Sequence, residues 1–213
     1  MSFVTIRKTE LKGIRNIIFD LGNVLLNLDF EATITAFKKL GMNEEVISWD
    51  QAYADPVFYE LEVGRISPDG FRERVRNILG NPGITDEQID EAWSAMILDV
   101  PKHRMQIIQE LKKDFNVYLF SNTNLIHIKR LQQQFMEAQG IEFSSLFNKV
   151  YYSHELHERK PDITSFRKVL ELENMTPSET LFVDDLEKNI LGAQAAGIKT
   201  IWLKNGMDLA DLF

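Results

Sequence analysis

From Pro101 onward the sequence repeats one unit: a stretch with apolar residues at helical spacing, then a short apolar run that stops abruptly at polar residues. A stretch carrying Met105, Ile108 and Leu111 precedes the run Asn116 to Phe120, and one carrying Leu125, Ile128, Leu131 and Phe135 precedes Lys149 to Tyr152. Ile163, Phe166, Val169 and Leu170 mark a third helix before Thr180 to Val183. Ile190, Ala193 and Ala196, closed by Gly197, mark a fourth before Lys199 to Leu203. Strands alternating with single helices read as parallel crossover units, so the pattern predicts an α/β core: a doubly wound, Rossmann-like parallel sheet.

One strand stands apart from this series. Ile14 to Phe19 is a short apolar run that enters a loop at Asp20-Leu21-Gly22-Asn23. Between it and the alternating region, Phe30 to Leu98 carries apolar residues at helical spacing, among them Phe71, Val75, Ile78 and Leu79, then Ile89, Trp93, Met96 and Ile97. Ser67 before Pro68 reads as an N-cap followed by proline at the first helical position, and Thr85 with Gln88 reads as a capping box. The expected organisation is therefore a core of residues 1–29 and 104–213, with an inserted all-helical cap over 30–103. Residues 1–13 receive no assignment.

Charge narrows the partners. Twenty-four Lys and Arg against 32 Asp and Glu leave a net charge of −8, which provides no broad footprint for nucleic acid. An anionic ligand must then be held by local groups. The absence of cysteine excludes disulfides and thiolate chemistry. The first fifteen residues lack the continuous apolar run of a signal peptide or membrane helix, so a soluble cytoplasmic protein without a membrane partner is expected.

In an open parallel sheet, ligands bind beyond the carboxyl ends of the strands. Those ends carry Asp20, then Ser121 and Asn122, then Lys160 and Pro161, then Asp184 and Asp185. Clustered carboxylates repel unless a hard divalent cation joins them, and an all-oxygen shell suits magnesium. Asp20 can offer one oxygen to the metal and attack phosphorus with the other. Ser121 and the backbone N–H groups around Asn122 would hold phosphoryl oxygens, and Lys160 would neutralise charge on the transferred group. Pro161 favours a helix start there, which would aim helix N–H groups at the same anion.

Phe19-Asp20-Leu21-Gly22-Asn23-Val24, Phe120-Ser121-Asn122-Thr123-Asn124, Arg159-Lys160-Pro161 and Phe182-Val183-Asp184-Asp185, with Asn189 following, resemble the four ordered motifs of the haloacid dehalogenase-like hydrolase superfamily. The helical insertion resembles the cap of its first subclass, and the motif forms resemble bacterial glucose-1-phosphate-type sugar phosphatases. The resemblance implies that Asp20 is the nucleophile, that Ser121 and Lys160 bind phosphate, and that Asp185, Asp20 and the Gly22 carbonyl bind Mg2+. It makes Asp184 an outer partner and Asn189 a supporting residue. A small phosphorylated metabolite, with sugar phosphates favoured, is the implied substrate.

One position departs from the family pattern. Most phosphatases of the superfamily carry a second aspartate two residues after the nucleophile, where it serves as acid and base, and Gly22 stands there instead. General acid–base catalysis contributes about 10²- to 10⁴-fold, so the gap implies a slower enzyme, a substitute group or a readily leaving substrate such as an anomeric phosphate. Three alternatives stay open: a metal-independent 2-haloacid dehalogenase, a sugar phosphomutase, and a catalytically weak phosphate-binding regulator. His127 could carry protons but reads first as a helix-surface residue. His154 and His157 read as loop residues. Arg65, in the segment Glu62-Val63-Gly64-Arg65, is a candidate substrate contact, and Trp49, Trp93 and Trp202 read as core.

Overall fold

A computed structural model describes residues 11–42, 49–204 and 206–213; the first ten residues and the side chain of Trp49 fall outside this description. Five strands, β1 (Asn16–Phe19), β2 (Asn116–Ser121), β3 (Lys149–Tyr152), β4 (Thr180–Asp184) and β5 (Lys199–Trp202), form one parallel sheet in the order β3-β2-β1-β4-β5. The chain starts at the centre, builds outward through β2 and β3, then crosses to the other side for β4 and β5. That reversal opens a crevice at the carboxyl end of β1. Phe19 pairs with Leu119 on one side and Val183 on the other, which sets Asp20 level with Asp184 on the neighbouring strand.

Side chains alternate across the sheet, as extended backbone requires. Ile17, Phe19, Val117, Leu119, Leu181 and Val183 point into one apolar core; Ile18, Tyr118, Phe120 and Phe182 point into the other. The central strand is buried on both faces, which explains its unbroken apolar run.

Between β1 and β2 the described residues form six helices: α1 (Phe30–Lys39), α2 (Trp49–Tyr53), α3 (Pro56–Glu62), α4 (Pro68–Leu79), α5 (Asp86–Ser94) and α6 (Lys102–Leu111). Their boundaries follow the local chemistry read from the sequence. Ser67 Oγ accepts from the Gly70 N–H at 3.2 Å, with Pro68 opening α4 and Gly80 closing it in the left-handed conformation. At α5 the Thr85 hydroxyl accepts from Gln88 N–H and the Gln88 carboxamide accepts from Thr85 N–H, a complete capping box. Phe58, Phe71 and Trp93 pack with ring centroids 5.2–5.6 Å apart and give the insertion an aromatic core. The remaining helices are α7 (Leu125–Gln139), α8 (Ser153–Leu156), α9 (Ile163–Leu172) and α10 (Glu187–Ala195). The helix expected at Pro161 begins two residues later, at Ile163, after the capping position Asp162.

The insertion leaves and rejoins the core through two segments bonded to each other. Asn27 N–H donates to Asp99 O at 2.9 Å, Leu98 N–H to Asn27 O at 3.1 Å and Asp29 N–H to Met96 O at 2.9 Å. Buried Arg104 braces this crossing: it donates to Asn27 Oδ1 and, through Nε and Nη2, to Asp208 Oδ2 at 3.0 and 2.7 Å. Burial raises the Asp208 carboxyl, but the Ala210 N–H, Arg104 and His103 outweigh it and hold the pKa at about 2. A depressed carboxylate contributes stability above its unfolded pKa and loses it as pH falls through the folded value. Asp208→Asn is therefore expected to lower stability by about 1 kcal/mol at pH 7, allowing for solvent screening. The gap between variant and parent should close between pH 4 and 2 in acid-unfolding curves.

Candidate active site

The carboxyl ends of β1, β2 and β4 contribute directly to the site, and the segment that follows β3 and α8 brings in Lys160. Asp20 follows β1 directly and its N–H donates to Val183 O at 2.9 Å, which ties the residue to β4. Lys160, 1% exposed, places its ammonium 2.5 Å from Asp20 Oδ1 and 2.8 Å from Asp184 Oδ2. The Nζ also lies 5.4 and 5.2 Å from the ring centroids of Phe120 and Phe182, so the charge is sheathed by aromatic faces. Asn122 fixes the backbone beneath it: Lys160 N–H donates to Asn122 Oδ1 at 2.9 Å, and Asn122 Nδ2 donates to Lys160 O at 2.8 Å. The side chain of Asn122 thus positions Lys160 and is not turned toward an anion.

Asp184 is fully buried and saturated with donors. Leu186 N–H and Asn189 Nδ2 reach its Oδ1 at 2.8 and 3.0 Å, and Asn189 Nδ2 also lies 3.0 Å from its Oδ2. Here Asp184 also turns the chain toward α10, the commonplace role open to any aspartate before a helix. Asp185 is half-buried. Asn23 Nδ2, on a residue at φ 56°, donates to its Oδ2 at 3.2 Å, and Trp202 Nε1 donates to its backbone oxygen at 2.9 Å. Trp202 is only partly buried, so its reading as core holds in part: it packs against the second apolar core and its indole N–H also acts as a strut for the Asp185 loop.

Three carboxylates share one ammonium here, and the imbalance shows in the proton affinities of Asp20 and Asp185. Burial lifts Asp20 to about 7; Lys160 pulls it down, and Asp184 and Asp185 push it up. Burial likewise raises Asp185. Burial pulls Lys160 down, but Asp184 and Asp20 override it and the ammonium is held more tightly than usual. Oxygens of Asp20, Asp184 and Asp185 all lie within 4.8 Å of one another. Surplus negative charge on hard oxygen donors fits Mg2+, which Asp20, Asp185 and the Gly22 carbonyl would hold. Magnesium at a hundredfold excess over its Kd is expected to stabilise the fold by about 2.7 kcal/mol, with affinity falling as pH drops below about 7. Thermal melts with and without the cation check this, and Asp185→Ala should abolish the shift.

Above this floor opens a cavity of about 430 Å³ reached by residues of both the sheet rim and the insertion. Ser121, 3% exposed, and Gly22 line its floor beside Asp20. A Cβ at Gly22 would meet Leu28 Cδ1 at 2.7 Å, so Leu28 occupies the space a larger residue there would need. Phe58, Trp93, Met96, Ile97 and Leu131 form an apolar wall, while Glu62, Arg159 and Lys188 supply charge.

Several sequence-based assignments change. His127 is not a surface residue: it faces the cavity, stacks on Trp93 with centroids 4.7 Å apart and donates from Nε2 to Trp93 O at 3.0 Å. Burial drives its pKa down to about 4. Trp93 is core, as expected, but also lines the cavity. Arg65 is exposed and lies against Tyr59, outside the cavity; Arg159 occupies the position expected of it. His154 and His157 sit at the seam with the insertion, where His157 Nδ1 donates to Val63 O at 3.0 Å. Asn23 and Arg159 belong to the motifs read from the sequence without a role of their own, and Glu62, far from every motif in sequence, carries no signal there.

Comparison with known proteins agrees with this geometry. A D-ribitol-5-phosphate phosphatase of Bacteroides thetaiotaomicron is 32% identical over 92% of this chain and 94% of its own length. A sesquiterpene phosphatase of Aspergillus oryzae is 27% identical over 89% and 90%. Among solved structures, a haloacid dehalogenase family enzyme of Bacteroides thetaiotaomicron, in complex with magnesium and inorganic phosphate, superposes with a TM-score of 0.85 at 37% identity, covering 92% of this chain and 97% of that one. The family model for haloacid dehalogenase-like hydrolases matches residues 17–203, and the chain belongs to that family.

Proposed function

We propose that this protein is a magnesium-dependent phosphatase that moves the phosphoryl group of a small metabolite onto Asp20 and then to water. The observation that carries the proposal is the convergence of Lys160 on Asp20 and Asp184, with the three carboxylates gathered at one strand edge. Asp20 Oδ attacks phosphorus; Lys160, held by Asn122, offsets the charge of the incoming group; Ser121 offers its hydroxyl to a phosphoryl oxygen. Magnesium held by Asp20, Asp185 and the Gly22 carbonyl would supply the remaining positive charge. Asn189 and Trp202 keep Asp184 and Asp185 in place. Residues 30–103 act as a cap that excludes bulk water during transfer and moves aside for exchange.

A sugar or sugar-alcohol phosphate is the favoured substrate. The cavity suits a molecule of that size, Glu62, Arg159 and Lys188 can meet hydroxyl groups, and the ribitol-phosphate relative acts on that class. A second reading rests on the apolar wall around Trp93, which equally suits a hydrocarbon body of the kind named for the sesquiterpene relative. A panel of sugar, sugar-alcohol, acyl and prenyl phosphates, assayed with Mg2+ and with chelator, separates the two. Turnover is expected only with the metal and highest on the polyol members. Halide release from 2-haloacids with chelator would favour a dehalogenase, and tight binding of magnesium with a phosphoryl mimic but no hydrolysis would favour a regulator.

A further inference from the structure

The cavity must contain a group that gives a proton to the departing oxygen and later takes one from water, yet position 22 has no side chain. Asp20 is committed as nucleophile and Asp185 to the metal. Lys160 is locked between two carboxylates. His127 spends its Nε2 hydrogen on Trp93 O, and burial keeps the ring neutral near pH 7, so it has no proton to donate. Burial raises the Tyr53 phenol and makes it a poor base, and Arg159 and Lys188 are cations that cannot alternate readily with a base role. Glu62 alone remains among the described residues of that cavity.

We infer that Glu62, carried by the insertion, is the acid and base of the reaction. Its placement is built rather than incidental. Ser153 Oγ donates to the Glu62 backbone oxygen at 2.6 Å and accepts from Thr123 N–H at 2.9 Å, so one hydroxyl joins the loop after β2 to the end of α3. Two residues along the chain, Gly64 lies so close to the core that a Cβ there would sit 2.1 Å from His154 O. Arg159 Nη1, on the residue preceding Lys160, holds the Glu62 carboxylate at 2.9 Å, and both residues line the cavity above Asp20. The groups facing this carboxyl are Tyr53, Arg159, Lys160 and Lys188; burial raises its proton affinity while the three cations oppose that. A carboxyl held above its ordinary range suits both directions of transfer near neutral pH.

The steps balance. As the Asp20 Oδ–P bond forms and the P–O bond to the leaving group breaks, the Glu62 proton passes to the departing oxygen and yields the free alcohol. Glu62 carboxylate then takes a proton from water as the water oxygen attacks phosphorus and the Asp20–P bond breaks, which returns both residues to their starting forms.

This inference rests on the phosphatase reading, and Glu62→Gln separates the two. With a sugar-alcohol phosphate, kcat should fall about 10²- to 10⁴-fold. With p-nitrophenyl phosphate, whose leaving group needs no proton, the variant should release one equivalent of nitrophenolate in a burst near the wild-type rate and then stall as phosphoryl-enzyme accumulates. Equal losses on both substrates without a burst, or no loss on either, would overturn the assignment while leaving the phosphatase reading intact. A wild-type protein inert toward every phosphate ester with magnesium would overturn both. Circular dichroism verifies folding; if Glu62→Gln does not fold, Glu62→Asp carries the test. Its retracted carboxyl should slow the sugar-alcohol phosphate at least about tenfold more than the nitrophenolate burst, and equal slowing would overturn the assignment.

Discussion

Asp20→Asn is expected to abolish phosphate release, by about 10⁴-fold or more, the scale on which removing a nucleophile from a concerted catalytic unit acts. The same substitution should make the metal-free protein more stable. Asp20 is held at about 7 against an ordinary 3.8, so the folded state prefers it protonated. Its charge destabilises the fold progressively as pH rises from about 4 to 7, and fully above that. Asparagine keeps an oxygen for the Lys160 ammonium and carries no charge. Melting at pH 8 without metal should show a gain on the order of 1–2 kcal/mol that diminishes toward pH 4. A dead variant of unchanged or lower stability would show that the carboxylate cluster is better compensated than its geometry implies.

Lys160→Met should have the opposite structural effect. The methionine fills similar space between Phe120 and Phe182, but Asp20 and Asp184 lose the cation that sits 2.5 and 2.8 Å from them. Removing one member of a buried ion pair costs about 3–5 kcal/mol because the charge left behind has no partner. Asp20 left without Lys160 holds its proton more tightly still, so the destabilisation grows as pH rises above about 7. Turnover should fall about 10²- to 10³-fold, as when one preorganised donor is taken from a developing anion. Magnesium should restore part of the stability in denaturant titrations and little of the activity. Full rescue of activity by the metal would show that Lys160 serves only to hold the empty site together.

The sheet and its rim are legible in the sequence for a physical reason. A strand buried on both faces must be continuously apolar, so Ile17 to Phe19 and Leu181 to Val183 end visibly where a charged residue begins. The rim residues are thus marked by their position in the chain. Directions of side chains on helices are less visible. His127 follows the N-cap Asn124 by three residues, and only the packing of α5 against α7 turns it onto Trp93 rather than into water. Trp202 belongs to an apolar run, yet its indole N–H finds a carbonyl across the edge of the sheet. The sequence offers Arg65 as a substrate contact and Arg159 only as the neighbour of Lys160. The turn at Gly64, at φ 67°, carries Arg65 out to the surface, while the arginine next to Lys160 reaches Glu62. Contacts across the seam between insertion and core are set by tertiary docking, which no local pattern encodes.

The side-by-side exit and return of the insertion also make its length nearly irrelevant to the sheet. Asp29 and Met96 are already bonded backbone to backbone, so a short turn between them would close the chain without moving β1 or α6. Because loop-closure entropy grows only slowly with loop length, the sheet can tolerate insertions of very different size at this point. A piece of different size and lining could therefore replace residues 30–95 over the same floor, which would exchange substrate preference as a cassette while the strand-end residues beneath it stay in place.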